Sequence, residues 1–493
     1  MRSVRPNANA VASHARLGGA PPTSAHRLDR VRAARGAMPL GPLVILAAAL
    51  ISSTYILAFP LRSQPGVRFW MFARLHHQMY EPRVAEWNLA AEPRVNLVLL
   101  GTQALEQRML SAFLAETSVA ELIEVERRNA ARTFGGPLES VGFVDLTDRL
   151  RNEGLLDQIN SASFSPWTKS GRIFGLPHDV HPVMLGYRAD LVEAAGIDVS
   201  QIETWDDFVR ILSPLMAETG SDGRPTRYLL NLWETHQESV ELLLLQAGGG
   251  LFDEAGMPTL DLPVNTEVLT QIALWCVSDQ RIAADAPYFS ASGNRLLLDG
   301  FVIASFVPDW MCNIWRNEIP QLAGKVKLMP LPAWTHGGRR TSVWGGTMLG
   351  ISRTAANPDA LWKFAKHLYL SPELARELYR QGDIVSPVRS LWSDSIYDQP
   401  DEFFSEQPKG RMYIDLAPSV PFRHNSPFGQ LAAERVQTTL VRLCQFVRSN
   451  PAADRALVHQ EAQRLIRAAQ ADISTTVRRN VFARDRATSE AAP

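Results

Sequence analysis

The feature that most constrains the fold is residues 171–187, GRIFGLPHDVHPVMLGY, in which two short apolar runs flank a polar connector. Pro177 and Pro182 stiffen the connector and bias the residues before them toward extended backbone. We therefore predict two strands joined by an extended strut that carries two histidines and an aspartate. Such a strut is expected where a chain crosses a cleft from one lobe to another. The alternative is an ordinary strand connection with solvated side chains.

The chain is too long for one hydrophobic core. Its 493 residues predict two or more domains, and its hydrophobic and charged fractions of 46% and 20% are those of an ordinary globular protein. The formal net charge of -1 gives no basic field, so no nucleic-acid partner is expected. Cys276, Cys312 and Cys444 are too few and too scattered for a disulfide framework. We expect them to be buried, with one bridge at most.

The N-terminal part of the sequence predicts a membrane segment. Residues 1–37 are rich in arginine and contain a single acid, Asp29, so they predict a disordered basic tail. Residues 38–61 carry no charge over roughly the 20 residues needed to cross a bilayer core. The arginines before this segment hold the tail in the cytoplasm by the positive-inside rule. Everything after Arg62 is then expected on the extracytoplasmic, periplasmic side.

Cleavage of this segment is not favoured by the sequence. A signal peptidase prefers small residues at both positions of an A-x-A-like site. The best candidate ends at Ala58, but Ile56 lies two positions earlier, Pro60 is close behind, and no cysteine is near enough for a lipid anchor. We therefore predict an uncleaved membrane anchor, with a long signal peptide as the alternative.

Residues 66–480 alternate between apolar runs typical of strands and amphipathic runs typical of helices. This alternation predicts an α/β sheet covered on both faces, with ligands at the carboxyl ends of its strands. Residues 451–480 predict an exposed helix, and residues 481–493 a frayed tail. Phosphate-binding-loop, serine-hydrolase-elbow and HExxH motifs do not occur in the sequence. Strands are predicted at 67–72, 94–100, 118–125, 228–232 and 301–306, and helices at 106–116, 206–216 (capped by Thr204), 238–246, 266–276, 357–370 and 431–447.

A series of short motifs follows in order along about residues 66 to 445. They are 167–177 (WTKSGRIFGLP), 185–190 (LGYRAD), 204–208 (TWDDF), 252–256 (FDEAG), 308–310 (PDW), 344–346 (WGG) and 357–364 (NPDALWKF). Together they resemble the sugar-type extracellular solute-binding proteins of ABC importers, the maltose-binding-protein-like family. The anchor, the missing lipid-attachment cysteine and the basic tail depart from that family's pattern.

The resemblance implies the type II periplasmic-binding-protein fold, with two α/β lobes joined by three crossings near residues 177–181, 343–346 and 384–389. It implies a first lobe of residues 66–179 and 346–386, and a second lobe of residues 180–345 and 387–480. It also implies capture of a carbohydrate-like ligand by hinge closure and delivery to an ABC permease, without a cofactor and without catalysis.

A sugar presents C–H ring faces and hydroxyls, so its site needs aromatic platforms and planar polar groups. The resemblance places ring-stacking or cleft-lining side chains and hydroxyl-binding groups in the second lobe, and the strand ends supply further polar candidates. The aromatic candidates are Trp233, Trp310, Trp344 and Phe428. The polar candidates are Arg74, His76, Glu126, Asp179, His181, Glu234 and His236.

Residue types of two other chemistries occur among these positions. His178 and His181 with Asp179 have the residue types of a metal site, but side chains three apart on an extended strut point to opposite faces, so no metal site is predicted. Glu126 and Glu234 could form the carboxylate pair of a glycosidase. A glycan-acting enzyme and a membrane-tethered sensor that uses the same clamp without transport are therefore the alternative functions.

Overall fold

The computed structural model describes residues 40–58 and 66–480. The chain divides into two units, Met1–Gln64 and Pro65–Pro493. In the first unit the described residues form one helix, α1 (Leu40–Ala58), which falls within the predicted membrane segment. Among the described residues, no helix has both the length and the apolar character needed to cross a membrane. The predicted tails, 1–37 and 481–493, and the ends of the segment 38–61 lie outside the described residues.

The strands of the second unit form two five-stranded sheets and one small hairpin. Mixed α/β architecture is thus confirmed. The strands are β1 (Val67–Met71), β2 (Val95–Leu99), β3 (Leu122–Glu126), β4 (Thr168–Lys169), β5 (Arg172–Ile173), β6 (Leu176–Pro177), β7 (Val183–Arg188), β8 (Tyr228–Asn231), β9 (Ala283–Ala284), β10 (Val302–Pro308), β11 (Val326–Pro330) and β12 (Thr347–Ile351).

The first sheet has the order β2-β1-β3-β12-β6. β1 runs parallel to both of its neighbours, so Phe69 lies opposite Leu97 on one side and Leu122 on the other. β12 comes from much later in the chain and pairs antiparallel with β3. The chain must therefore leave this sheet after β6 and return to it before β12.

The second sheet has the order β11-β7-β10-β8-β9. β7 pairs antiparallel with both of its neighbours, so Leu185 lies opposite Phe306 on one side and Met329 on the other, whereas β8 runs parallel to β10 and β9. All residues of β7, β8 and β10 are buried, as expected for strands that are covered on both faces. The chain therefore builds two separate sheets, each with its own hydrophobic core.

Three passages of chain connect the two sheets. Residues 178–182 lead from β6 to β7, and residues 343–346 lead back toward β12. Residues 384–388 then return the chain to the second sheet. There the amide of Gly324, which lies just before β11, donates a hydrogen bond to the carbonyl oxygen of Phe403. Because residues 65–493 form one compact unit, the lobe bounds given above stay a prediction.

Helices cover the faces of both sheets. Those before β7 are α2 (Arg74–Ala90), α3 (Thr102–Leu114), α4 (Arg127–Arg132), α5 (Thr147–Asn152), α6 (Leu155–Gln158) and α7 (Ser161–Phe164). Those between β7 and β12 are α8 (Ala189–Ala194), α9 (Trp205–Leu212), α10 (Gln237–Gln246), α11 (Pro263–Val277), α12 (Ala291–Leu298) and α13 (Asp309–Glu318). Those after β12 are α14 (Pro358–Tyr369), α15 (Pro372–Gly382), α16 (Lys409–Leu416), α17 (Gly429–Ser449) and α18 (Arg455–Arg479).

Local sequence signals explain some helix ends and miss others. Thr204 caps α9 as predicted, and its hydroxyl and the Asp207 carboxylate form a reciprocal capping box. α2 was not predicted, because Pro82 and its low overall hydrophobicity obscure the helical pattern. The strand predicted at 118–125 begins only at Leu122, although Val119 and Ala120 before it are also buried.

The prediction of an exposed C-terminal helix was wrong. α18 packs on α11 and α17 and buries one apolar stripe, which includes Val458, Leu465 and Ile473. Its many arginines lie on the opposite face. The prediction used the arginine-rich composition and not the periodicity, and so it did not detect the apolar stripe. At its end, the Asn480 Nδ2 donates to the carbonyl oxygen of Gly135, which follows α4 (3.1 Å).

Candidate ligand-binding site

The predicted strut between β6 and β7 is not extended throughout. His181 has a φ of +56°, which turns its side chain back along the strut. As a result Nδ1 of His178 and Nε2 of His181 both contact Oδ2 of Asp179, at 3.1 and 3.0 Å. The expectation that the two histidines point to opposite faces was therefore wrong.

The three passages are held together by buried polar groups. Nδ1 of His181 contacts Oδ1 of Asp309 at 2.7 Å, and the other oxygen of Asp309 accepts from the backbone amide of Val385 at 2.8 Å. The amide of Thr347 donates to Oδ1 of Asp179 at 3.4 Å. One hydrogen-bonded group, Asp179–His181–Asp309, thus reaches all three passages.

The charges of this group support one another. Burial alone would lower the pKa of His181, but the carboxylates of Asp179 and Asp309 outweigh burial and raise that pKa to about 10. Burial alone would raise the pKa of Asp179, yet His181 and His178 hold it well below its ordinary value. His181 is therefore an imidazolium at neutral pH and forms ion pairs with both carboxylates.

His76 belongs to a second buried group, beneath the strut. Its Nδ1 contacts Oε1 of Glu124 at 2.8 Å, and the hydroxyls of Tyr80 and Tyr369 donate to Oε2 of Glu124 at 2.6 and 2.9 Å. Ligand atoms of His76, Glu124 and His178 lie within 4.8 Å of one another, close enough to hold a metal ion. Both oxygens of Glu124 are already hydrogen-bonded, so a metal would have to displace these contacts. We interpret the group as the packing of the strut on the first sheet.

Trp310 and Trp344 lie together beside the second passage. Nε1 of Trp310 donates to the carbonyl oxygen of Trp344 at 2.9 Å, and the two rings are nearly perpendicular at 6.1 Å. Phe289 lies almost parallel to the Trp310 ring at 6.1 Å and is 59% exposed. Gly345 is required here, because its φ is +115° and a Cβ would lie 2.6 Å from the His181 ring. Trp310 and Phe289 form a partly exposed aromatic wall.

Trp233, Glu234 and His236 follow β8, and each contacts a charged side chain near the second sheet. Arg448 forms two hydrogen bonds with the Glu234 carboxylate, the shorter at 2.8 Å, and its guanidinium lies 5.9 Å from the Trp233 ring. Nε2 of His236 contacts Oδ1 of Asp285 at 2.8 Å. The carboxylates of Glu126 and Glu234, the alternative glycosidase pair, do not belong to one group, because Glu234 pairs with Arg448 whereas Glu126 caps α4.

The other predicted residues lie at helix starts. Arg74 is exposed as the first residue of α2. Glu126 accepts a hydrogen bond from the amide of Arg128 at 3.1 Å, and burial raises its pKa. Phe428 precedes α17 and packs, partly buried, against the hydrophobic core of the second sheet.

An open cavity of about 670 Å³ lies between the two sheets. One side is α4, directly after β3 of the first sheet, and the other side is α10, which follows β8 of the second. About 60 Å³ of this space admits the centre of a water molecule, so the two sides lie close together. The cavity lining includes the exposed ring of Phe422 together with Arg127, Arg128, Glu241, Arg423 and Asn425.

Ion pairs join the two sides of this cavity. Nη2 of Arg127, from the end of β3, contacts Glu238 at 2.9 Å and Glu241 at 3.0 Å, both on α10. Arg128 also pairs with Glu238. The amide of Arg423 donates to the Ser165 hydroxyl at 3.0 Å. The structure therefore shows a conformation in which the two sides are in contact.

The residues that line this cavity were missed as binding residues by the sequence analysis. Glu241 carried the clearest signal, because it is a single acid inside the apolar run of residues 240–245, VELLLL. A buried acid in such a run needs a partner, and the partner is Arg127. Arg423 carried no comparable signal, since its position depends on contacts with the distant carbonyls of Val343 and Gly345.

Comparisons with known proteins agree with this architecture. The family model described as bacterial extracellular solute-binding protein matches residues 83–373. The arabinooligosaccharide-binding protein of Halalkalibacterium halodurans is 26% identical over 345 residues, which cover 68% of this chain and 74% of that protein. The Bacillus subtilis protein of the same name is 24% identical over 317 residues, covering 63% of this chain and 70% of that protein.

Solved structures share the fold. The sugar-binding protein MalE from Xanthomonas citri superimposes with a TM-score of 0.66 at 16% identity, covering 84% of this chain and 99% of that one. The cyclic alpha-maltosyl-1,6-maltose binding protein from Arthrobacter globiformis gives a TM-score of 0.63 at 18% identity, covering 82% and 99%. Two sheets joined by three passages, a cavity between them and a family match over more than half of the sequence lead to one conclusion. The chain belongs to the family of bacterial extracellular solute-binding proteins.

Proposed function

We propose that this protein captures a carbohydrate in the cavity between its two sheets and delivers it to an ABC permease. The observation that carries the proposal is the position of that cavity, which is lined from both sheets and lies next to the second passage. In the described conformation about 60 Å³ of it is open to the centre of a water molecule, so a sugar-sized space forms when its two sides separate. The relatives named as oligosaccharide-binding and sugar-binding proteins support the ligand class.

The chemistry of the cavity suits a sugar. The Phe422 ring is 54% exposed and offers a flat apolar face to the C–H groups of a pyranose or furanose. Arginine guanidinium groups offer planar sets of donors to hydroxyls. Gly250, whose Cβ position is unobstructed, lets a ligand approach the backbone closely. The aromatic wall of Trp310 and Phe289 extends the apolar surface on the other side of the second passage.

Ligand entry requires the two sides to separate. Little of the cavity is accessible while Arg127 pairs with Glu238 and Glu241, so a sugar enters an open form and then stabilises the closed one. The three passages form the hinge in this scheme. The ligand-binding residues predicted from the sequence, among them Trp310 and Trp344, remain proposals in this scheme as well.

We also propose that residue 66 onward lies outside the cytoplasm and is held to the membrane by residues 38–61. The family supports an extracytoplasmic location. The anchor rests on the uncharged sequence alone, which extends beyond both ends of α1.

Binding can be tested by a thermal-shift screen of the full-length chain against neutral mono- and oligosaccharides. A sugar at about 100 times its Kd should stabilise the protein by roughly 2.7 kcal/mol. Phe422→Ala should weaken binding about three- to tenfold with little effect on folding, because the ring is exposed. Leu457→Ala, which truncates another exposed apolar side chain, serves as the control.

The same samples test binding without turnover. The sugar recovered after incubation should be chemically unaltered. Conversion of the sugar would favour the glycan-acting enzyme, and the absence of binding both across this panel and to the charged sugars tested below would contradict the proposed function.

A further inference from the structure

The cavity between the sheets has an unusual balance of charge. Four arginines line it, whereas one glutamate does. One of these arginines, Arg132, forms an ion pair with Glu106 of α3. Arg127, Arg128 and Arg423 share the carboxylates of Glu238 and Glu241, with Glu126 at 4.0 Å from Arg127 as a further neighbour.

These arginines also keep unused hydrogen-bond donors. The Nε of Arg127 and the Nε of Arg423 are buried, and neither makes a hydrogen bond. They lie 4.0 Å from Glu126 and 3.4 Å from Glu241, in ion pairs without hydrogen-bond geometry, whereas Nη2 of Arg128 contacts Glu238 directly. Buried donors without acceptors are costly, so the cavity favours a ligand that brings acceptor oxygens.

The electrostatics of Arg423 reflect the crowding of positive charge in this cavity. Burial lowers the pKa of its guanidinium, and the positive charge of Arg127 lowers it further, to about 10 despite the attraction of Glu241. Three arginines share the carboxylates of Glu238 and Glu241, and Glu126 beside Arg127 is the third acid of the cluster.

We propose that the captured carbohydrate is anionic and that its negative group binds among Arg127, Arg128 and Arg423. This inference rests on the proposed function and adds the ligand class to it. The carboxylate of a uronic acid and a phosphate ester share the required chemistry. The carboxylate offers two negatively charged acceptor oxygens in one plane, and the phosphate offers three around its phosphorus. The sugar ring then lies toward Phe422, on the rim of the same cavity.

The anion would also complete the contact between the two sides. Arg127 and Arg128 come from α4 of the first sheet, whereas Arg423 comes from the loop before α17. A negative group held by all three adds an ionic contact that exists only in the closed form. An anionic sugar should therefore favour closure more than its neutral counterpart.

The test compares sugars that differ only at one group. Isothermal titration of the full-length chain with galactose, galacturonate and galactose 6-phosphate, which differ only at C6, separates neutral, carboxylate and phosphate ligands. We expect at least one anionic sugar to bind ten times more tightly than the neutral one, with a preference that shrinks as salt is raised. The two anionic arms show which negative group is preferred.

Arg128→Gln is the variant of choice, because its side chain is partly exposed and it makes fewer structural contacts than Arg423. It should reduce the preference for the anionic over the neutral sugar at least fivefold, measured as the ratio of the two affinities in the same variant. Arg464→Gln, which removes the same charge from an exposed site on α18, should leave both affinities as they were.

The outcomes separate this inference from the proposed function. Neutral sugars that bind as tightly as anionic ones, or an unchanged preference in Arg128→Gln, would overturn the anionic ligand and leave carbohydrate capture standing. A protein that binds none of the three sugars, and no other sugar in the thermal-shift screen, would overturn both.

Discussion

The Asp179–His181–Asp309 group makes the stability of the protein depend on pH in a direction that can be worked out. The folded protein raises the pKa of His181 from its ordinary value of 6.5 to about 10. A raised histidine pKa stabilises the fold fully below pH 6.5, and this contribution is lost as the pH rises toward 10. Each pH unit in between costs about 1.4 kcal/mol, which gives about 5 kcal/mol over the whole interval.

Most other groups with shifted pKa values titrate outside the useful part of this interval. The lowered pKa values of Asp179 and His178 change stability on the acid side of pH 6.5. Burial raises the pKa values of Cys276, Cys312 and Cys444, so these thiols contribute above about pH 8.5, where the unfolded chain loses their protons. Glu203 raises the pKa of His336, which also titrates above pH 6.5, but this side chain is exposed and is present in every variant compared. From pH 6.5 to 8.5, His181 should account for a loss of about 2.7 kcal/mol.

The assay is urea unfolding of the full-length chain at pH 6.5, 7.5 and 8.5, followed by tryptophan fluorescence. His181→Gln is expected to be less stable at pH 6.5 and to lose less stability as the pH rises, since its side chain does not titrate. Asp309→Asn keeps the histidine but removes one of its carboxylates, so it should show an intermediate slope. The reasoning fails if the wild type and both variants lose stability equally between pH 6.5 and 8.5.

Three further outcomes are expected. Trp310→Ala should weaken sugar binding at least tenfold in titration calorimetry. It should also lower the free energy of unfolding by about 2–4 kcal/mol, because the ring packs against two hydrophobic cores. Unchanged affinity would assign the ring to packing alone. Lys409→Met should destabilise the fold by about 3–5 kcal/mol in urea, because it leaves the buried carboxylates of Asp383 and Asp401 with only Arg316; a loss under 1 kcal/mol would contradict this. N-terminal sequencing of protein from membranes should find a chain that still contains residues 38–61, and a mature chain that starts near Phe59 would exclude the anchor.

Local signals in the sequence predicted most of the elements. The apolar strands and the capped helices follow from periodicity and capping, and β7, β10 and α9 lie close to their predicted positions. The order of the strands did not follow from such signals. β12 joins the first sheet beside β3 through pairing between residues more than 200 positions apart, which no local pattern contains. The resemblance to a known family supplied the two-lobe architecture instead.

The candidate site was less accessible to sequence reasoning. Strand-end position brought out His76, Asp179 and His181, and all three are buried polar groups near the passages. Their hydrogen bonds hold the strut and the hinge, and the sequence contains no signal that distinguishes such a role from ligand binding. The cavity itself depends on the approach of α10 to α4, which is a tertiary contact. Only the lone Glu241 in its apolar run pointed toward it.

The position of the end of α18 makes the separation of the two sides measurable with a pair of fluorescent labels. This helix lies on α11 and α17. Asn480, directly after its end, contacts Gly135, which follows α4 beside the first sheet. A fluorophore at the exposed Arg479 and a second one at Gln107, on the exposed face of α3, would therefore report any separation of the two sides as a change in energy transfer. The three native thiols are buried and unbridged, so cysteines introduced at these two positions should react selectively while the native ones stay in place.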